Sequence, residues 1–343
     1  MGRNQEILSF IANKENALPG IQRAIYLDGP SASGKTERAK QFKRRFGDSS
    51  EVISTDWFMT DREKRDHSRV KNWYRFGRMK QVIEQVLFNG NVDDIILSDA
   101  YLHDSSGSAN NSLVIKRQNK RLAIIEGRYS HMQLFAEDTI PSFRVIIDDD
   151  QSTRIERAMK RASQQHNRDP IEQRQLLLEV IEPDWLSYLP LIFKRADLYE
   201  TVNGSGEKIS TRPKDMCNLT HVWGAYAELQ NTDRSIFRMI QVGPNGATSL
   251  HRHHDMHEVY YVVSETLLVK TMKDGETDIT NAIYHPGDTV VVPPGLWHSA
   301  SSFMGSAPIY YETVTGELDS NDIQKKISAI PKTAPLSVFE FVK

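Results

Sequence analysis

Gly29-Pro30-Ser31-Ala32-Ser33-Gly34-Lys35-Thr36 follows the apolar run Ala24-Ile25-Tyr26-Leu27, which has the length and composition of a buried parallel strand. A strand feeding such a loop is the context a nucleotide site requires. Gly29 and Gly34 let the backbone curl so that successive N–H groups of Ser31, Ala32, Ser33, Gly34, Lys35 and Thr36 face a phosphate chain at a helix N-terminus. Lys35 then reaches the terminal phosphates of ATP, and Thr36 holds Mg2+. The sequel fits, because Thr36 to Phe46 is rich in helix formers and free of Gly and Pro. Ordinary Gly/Ser turns carry the same letters, but without a strand before them and a helix after them.

The chain has 343 residues, more than one ordinary domain core holds, so two domains are expected. Charged residues make up 26% and the net charge is −2, which gives no basic excess for nucleic acid or an anionic membrane surface. Small-molecule substrates are the expected partners. The single cysteine, Cys217, allows no internal disulfide, and the N-terminal stretch lacks the apolar core of a signal peptide, so a cytoplasmic location is expected. No apolar run approaches the roughly 20 residues of a spanning helix. Membrane insertion is not expected.

After the loop and its helix, Glu51 to Ser54 reads as a second short strand that delivers Asp56. A carboxylate at the carboxyl end of a strand beside a phosphate loop stands where ligands collect in open α/β sheets, and it suits the base that takes a proton from an attacking hydroxyl. A residue that only caps the next turn fits the same spacing. Further on, Trp73 to Gly90 reads as an amphipathic helix, Ile95 to Leu97 as a strand ending near Asp99, and Leu122 to Glu126 and Phe143 to Ile147 as two more buried strands.

The segments Val52-Ile-Ser-Thr-Asp56-Trp-Phe58, Leu122-Ala-Ile-Ile-Glu126-Gly127 and Arg195-Ala-Asp-Leu-Tyr199 resemble the uridine kinase-like family of P-loop kinases over roughly residues 20 to 203. The resemblance implies a parallel sheet flanked by helices, with Asp56 as base toward the acceptor hydroxyl and Glu126 on Mg2+, directly or through water. It also makes the stretch from Arg154 to Arg168 an arginine-bearing lid, in which Arg161 and Arg168 offset charge on the transferring phosphoryl group. Tyr101, His103 and Asp104 stand as the acceptor contacts. The acceptor itself is left open between a sugar and a nucleoside. Asn203-Gly-Ser-Gly206 reads as a linker, giving a kinase domain over residues 1–205 and a second domain over 206–343.

From about residue 215 short β-rich runs follow one another: Ile236 to Val242, Val259 to Val263, Leu267 to Thr271, Thr289 to Val292 and Ile309 to Val314. Such spacing with Gly, Pro and Asn turns argues an antiparallel sandwich or barrel. Within it, His251 and His253 lie two apart and share one face of a strand, while His254 points away. Glu258 begins the next run, and a Pro293-Pro-Gly295 turn leads to His298. Three imidazoles and a carboxylate suit a divalent transition metal (Zn, Fe, Mn, Ni or Co) with room for water or substrate.

The two-part spacing Gly246, His251, His253, Glu258, then Gly287, Pro293, Gly295, His298 resembles the cupin pattern, and the trailing Tyr311-Glu-Thr-Val-Thr-Gly316 resembles phosphomannose isomerase-type cupins. The resemblance implies a double-stranded β-helix that isomerises a sugar phosphate, beside the alternatives of a carbohydrate-sensing module and a metal-dependent oxygenase or epimerase. A homodimer built through this half is also expected.

Overall fold

The computed structural model describes residue 7, residue 21 and residues 23–65, 69–87, 93–102, 111–131, 140–165, 169–202, 208–232, 235–316, 322–334 and 336–339. By backbone proximity the chain divides into two units, Met1–Tyr188 with Ala196–Thr201, and Leu189–Arg195 with Val202–Lys343.

In the first unit, β1 (Arg23–Asp28) is buried on both faces, as its unbroken apolar composition requires. It is followed by α1 (Lys35–Phe46) and β2 (Ser50–Ser54), then α2 (Phe76–Leu87), β3 (Ile95–Ala100), β4 (Asn111–Ile115), β5 (Leu122–Glu126) and β6 (Ser142–Ile147). Next come α3 (Gln151–Gln165), α4 (Pro170–Leu176), α5 (Glu182–Phe193), which belongs to this unit as far as Tyr188, and β7 (Leu198–Val202), which belongs to it as far as Thr201. Five of these strands pair in parallel, in the order β2-β5-β1-β6-β7. The connection from β1 therefore leaves toward β2 on one side and that from its neighbour β6 leaves toward β7 on the other. The crevice at the carboxyl ends of β1 and its neighbours is the place such a sheet offers to a ligand.

Two apolar clusters fill the faces of this sheet. One gathers Tyr26, Ile53, Ile125 and the inward stripe of α2 (Met79, Val82, Ile83, Val86). The other sets Ile25, Leu27, Ile124 and Val145 against Ala39 and Phe42 of α1. β3 departs from the expected pattern, because it pairs antiparallel with β4 in a separate two-stranded ribbon. β4 carries only a short Ser-Leu-Val-Ile pattern and gains its strand character from that pairing.

The second unit runs through β8 (Lys208–Thr211), β9 (Cys217–Asn218), β10 (Gly224–Asn231), β11 (Ser235–Val242), β12 (Leu250–His253) and β13 (His257–Ser264). It continues with β14 (Leu267–Met272), β15 (Thr280–Tyr284), β16 (Thr289–Val292), β17 (Trp297–Ser302), β18 (Ile309–Thr315) and β19 (Ile323–Ile327). Two antiparallel sheets form, ordered β16-β13-β18-β11-β10-β9 and β15-β14-β17-β12-β19. Alternation along each strand sends Ile240, Val262, Val269, Val292, Ala300 and Tyr310 into one shared core. Double-sheet closure of this kind is the jelly-roll solution for short strands.

Candidate functional sites

The loop after β1 has the backbone of an anion cradle. Gly34 caps α1 in the left-handed region at φ 97 without a side-chain cap, which leaves the first N–H groups of the helix for a ligand. Ala32 is also left-handed, at φ 61. At Gly29 a side chain is excluded outright: a Cβ there would lie 2.0 Å from the Ile147 carbonyl oxygen. Lys35 folds back over the loop, its Nζ donating to the carbonyls of Gly29 at 2.9 Å and Pro30 at 2.6 Å. Burial pushes its ammonium down to about 8, opposed by Glu126 and reinforced by Arg128.

Thr36 Oγ1 donates to Glu126 Oε2 at 3.2 Å, joining the start of α1 to the tip of β5. Burial raises the Glu126 carboxyl, and the Asp56 carboxylate adds to the effect. A hydroxyl and a carboxylate side by side are hard oxygen donors of the kind Mg2+ takes, so these two residues fit that ion. Asp56 lies in the turn after β2 and accepts from the buried Tyr74 hydroxyl at 3.0 Å. Its charge acts on Lys35, Glu126 and Arg161, so these four of the residues singled out from sequence lie near one another. Ser31, Ala32 and Ser33 complete the loop, and Arg157 beside them binds Asp149 at 2.6 Å.

Tyr101 is fully buried, donates its N–H to Trp57 and lies under the Arg65 guanidinium at 4.4 Å. His103, Asp104 and Arg168 lie outside the described residues.

Three residues near the base escaped the sequence reading. Tyr74 stands 18 positions from Asp56, and Arg128 and Tyr129 meet Asp184 of α5 at 2.7 and 2.6 Å across more than 50 positions. No local periodicity announces such contacts. The Arg immediately after Glu126-Gly127 is the one signal that could have pointed there.

In the second unit, β12 and β17 pair His251 directly with His298, and β13 of the facing sheet supplies Glu258. The Pro293-Pro-Gly295 turn is tied back to β12 by the Gly295 N–H on the His253 carbonyl, which sets the start of β17. Glu258 bridges two imidazoles, at 3.0 Å from His253 Nε2 and 3.0 Å from His298 Nε2. Nδ1 of His251 lies 2.7 Å from the Ser249 carbonyl and Nδ1 of His298 lies 3.0 Å from that of Leu296, so both rings turn Nε2 inward. His254 faces outward, as expected, against Gln324.

One ligand atom from each of His251, His253, Glu258 and His298 lies within 4.8 Å of the others. Burial holds the His251 imidazole down to about 4, and His298 beside it adds to the shift, so His251 is neutral and ready to ligate near neutral pH. Burial would raise Glu258, but the imidazole hydrogen bonds outweigh it and keep the carboxylate ionised well below the usual range. Three imidazoles, two of them with pinned tautomers, and an ionised carboxylate fit a divalent transition metal.

A polar row missed by the sequence reading crosses the inner face beside this cluster. Tyr260, Glu312, Arg238 and Glu228 are register partners on four neighbouring strands. Tyr260 donates to Glu258, and Arg238 meets Glu312 at 3.2 Å and Glu228 at 3.4 Å. Burial, then the charge of Glu258, lifts the Glu312 carboxyl to about 7 against the pull of Arg238.

A double-sheet barrel with three inward histidines and a glutamate is the arrangement of a cupin centre, and these four residues could hold a metal ion. Residues 238–311 match the family model described as Cupin domain, so the second unit carries a cupin domain. No curated protein matches the chain. Among solved structures, the chain is similar to the oxalate decarboxylase from Bacillus subtilis at pH 4.6, at 19% identity over 32% of this chain and 29% of that one, with a TM-score of 0.27. It is similar to a recombinant oxalate oxidase in complex with glycolate, at 22% identity over 32% of this chain and 58% of that one, TM-score 0.27. KdgF from Halomonas sp. aligns at 15% identity over 31% of this chain and 91% of that one, TM-score 0.26. The chain spans under a third of the decarboxylase's length. Among the described residues no helix is long and apolar enough to cross a membrane.

Proposed function

We propose that the chain joins an ATP-dependent phosphotransferase, a P-loop kinase of a small hydroxyl metabolite, to a metal-dependent cupin. The observation that carries the first half is the gathering of Lys35, Thr36, Glu126 and Asp56 at the carboxyl ends of β1, β2 and β5. In the transfer, the acceptor oxygen bonds to the γ-phosphorus as the bond to the β,γ-bridging oxygen breaks. The hydroxyl proton passes to Asp56, and ADP departs. Lys35 and Arg161 offset charge on the transferring group, and Thr36 with Glu126 holds Mg2+.

For the second half, Glu312 supports proton transfer over passive holding of a carbohydrate. Burial, the larger cause of its raised carboxyl, persists when a metal offsets the Glu258 charge, so Glu312 stays inclined to hold and exchange a proton beside the cluster. When bound, the metal polarises a substrate's oxygens. Glu312 would take a proton from the substrate carbon and return it to the other face of that carbon or to the adjacent one, and Arg238 holds Glu312 in place. Proton transfer of that kind serves an isomerase or epimerase, and a sugar phosphate is the substrate that the resemblance to phosphomannose isomerase-type cupins implies.

Calorimetric titration with MgATP, followed by ATP consumption over a panel of sugars, nucleosides and their phosphates, tests the first half. Lys35→Ala should abolish both signals while transition-metal content stays unchanged. Metal analysis of purified protein tests the second half, and absence of any tightly held transition metal would remove it.

A further inference from the structure

Two of the three imidazoles in the second unit are fixed in the same way, each Nδ1 on the main-chain carbonyl two residues before it, Ser249 for His251 and Leu296 for His298. His253 is not. Its Nε2 faces Glu258 at 3.0 Å, which leaves Nδ1 as the outer atom of the ring. Among the described residues that Nδ1 is buried without a hydrogen-bond partner.

Asp322 stands behind it. Its Oδ2 lies 3.8 Å from Nδ1, and with the imidazole 12% and the carboxylate 7% exposed, little water competes for the gap. Asp322 immediately precedes β19, which pairs with β12 in the register His253↔Ile323. The turn after β12 grips the carboxylate: the His254 N–H donates to Oδ1 at 2.8 Å and the Asp255 N–H to Oδ2 at 3.3 Å. Two main-chain donors are enough for an aspartate that serves the turn. They do not account for the buried ring nitrogen beside it.

Ligand chemistry does. Nε2 can ligate a metal only through its lone pair, which requires the ring's proton on Nδ1. A buried N–H of that kind needs an acceptor, and an approach of on the order of 1 Å brings Oδ2 into hydrogen-bond range. We propose that Asp322 is a positioning residue for the metal centre. It accepts the Nδ1 proton of His253, fixes the tautomer that offers Nε2, and through the charge-assisted bond makes that nitrogen a stronger donor. This rests on the metal-binding reading and extends it beyond the four ligands.

The experiment uses the full chain stripped of metal, with Zn2+ as the probe and affinity read by competition with a chromogenic chelator. Asp322→Asn keeps an oxygen for the His254 N–H but presents an amide NH2 toward Nδ1, which favours the opposite tautomer. Zn2+ affinity should fall about 10–100-fold, while the metal-free chain keeps an unfolding midpoint close to that of the parent. A residue that served only the turn would give the reverse, a less stable metal-free chain with Zn2+ affinity unchanged. NMR of the ring nitrogens in the Zn2+-loaded chain supplies a second readout. The His253 N–H, shared with a carboxylate, should resonate downfield of those of His251 and His298, which face carbonyls, and should move upfield in Asp322→Asn.

Unchanged Zn2+ affinity in folded Asp322→Asn would overturn the assignment. So would a His253 N–H signal no further downfield than the other two. Should Asp322→Asn fail to fold, the NMR comparison within the unaltered chain decides alone. An unaltered chain that takes up no Zn2+ would instead bring down the metal-binding reading, and this inference with it.

Discussion

Lys35 carries a pH signature that separates a working phosphate ligand from a loop-bracing lysine. Burial favours its neutral amine in the free protein, with the transition at about 8, whereas phosphate oxygens favour the ammonium. Binding above that pH must therefore draw a proton from solution. Apparent MgATP affinity should fall by up to about tenfold per unit above pH 8, and calorimetry in buffers of different ionisation heat should register proton uptake between pH 8 and 9.5. Lys35→Arg, charged throughout, should lose this dependence; a flat profile in the unaltered chain would mean that Lys35 never meets the phosphates. Tyr74→Phe addresses the base. Losing the donor at 3.0 Å should raise the acid limb of the pH–rate profile and lower kcat about tenfold at unchanged ATP affinity. Superimposable profiles would leave Tyr74 as packing.

Among elements, the parts written in contiguous sequence were legible. The strand, loop and helix around Gly29 to Thr36 obey local rules, and the strand at Glu51 to Ser54 emerged one residue longer, as Ser50–Ser54. His251 and His253 shared a face because strand period allows nothing else. What stayed hidden depends on pairing. Glu312 looked like one more residue of a β-run, and only its register against Arg238 and Tyr260 turns it into part of a buried polar row. β3 read as a strand like the others until β4 claimed it.

The same distinction bears on two glycines with positive φ. Gly34 at φ 97 has open space around a would-be Cβ, whereas Gly127 at φ 125 has Thr55 Oγ1 only 2.1 Å away. Thr55 cannot yield freely, since that hydroxyl donates to the Arg128 carbonyl at 2.9 Å. Gly127→Ala should therefore cost about 2–4 kcal/mol and Gly34→Ala about 1–2 kcal/mol, read from chemical denaturation of the first unit. Equal losses would show that backbone strain alone, without crowding, governs both positions.

On the scale of the molecule, each unit has its own apolar core: the clusters around β1, α1 and α2 in one, and that between the two β-sheets in the other. On the proposed reading each also takes a distinct ion, Mg2+ on the oxygen donors of Thr36 and Glu126, and a softer metal on the imidazoles and carboxylate of His251, His253, Glu258 and His298. A ligand stabilises the fold that binds it by RT ln(1 + [L]/Kd), about 4 kcal/mol at a thousandfold excess over Kd. Scanning calorimetry should accordingly resolve two transitions that respond to different additions. A chelator that spares Mg2+ should lower one and leave the other in place, and MgATP should raise only the transition the chelator ignores. His253→Ala should reproduce the chelator's effect without any chelator, because it removes an imidazole and leaves Glu258 without one of its two ring partners. A single transition that answers to both additions would mean that the units unfold together, and the division of labour between phosphate and metal chemistry would then have to be sought within one cooperative fold.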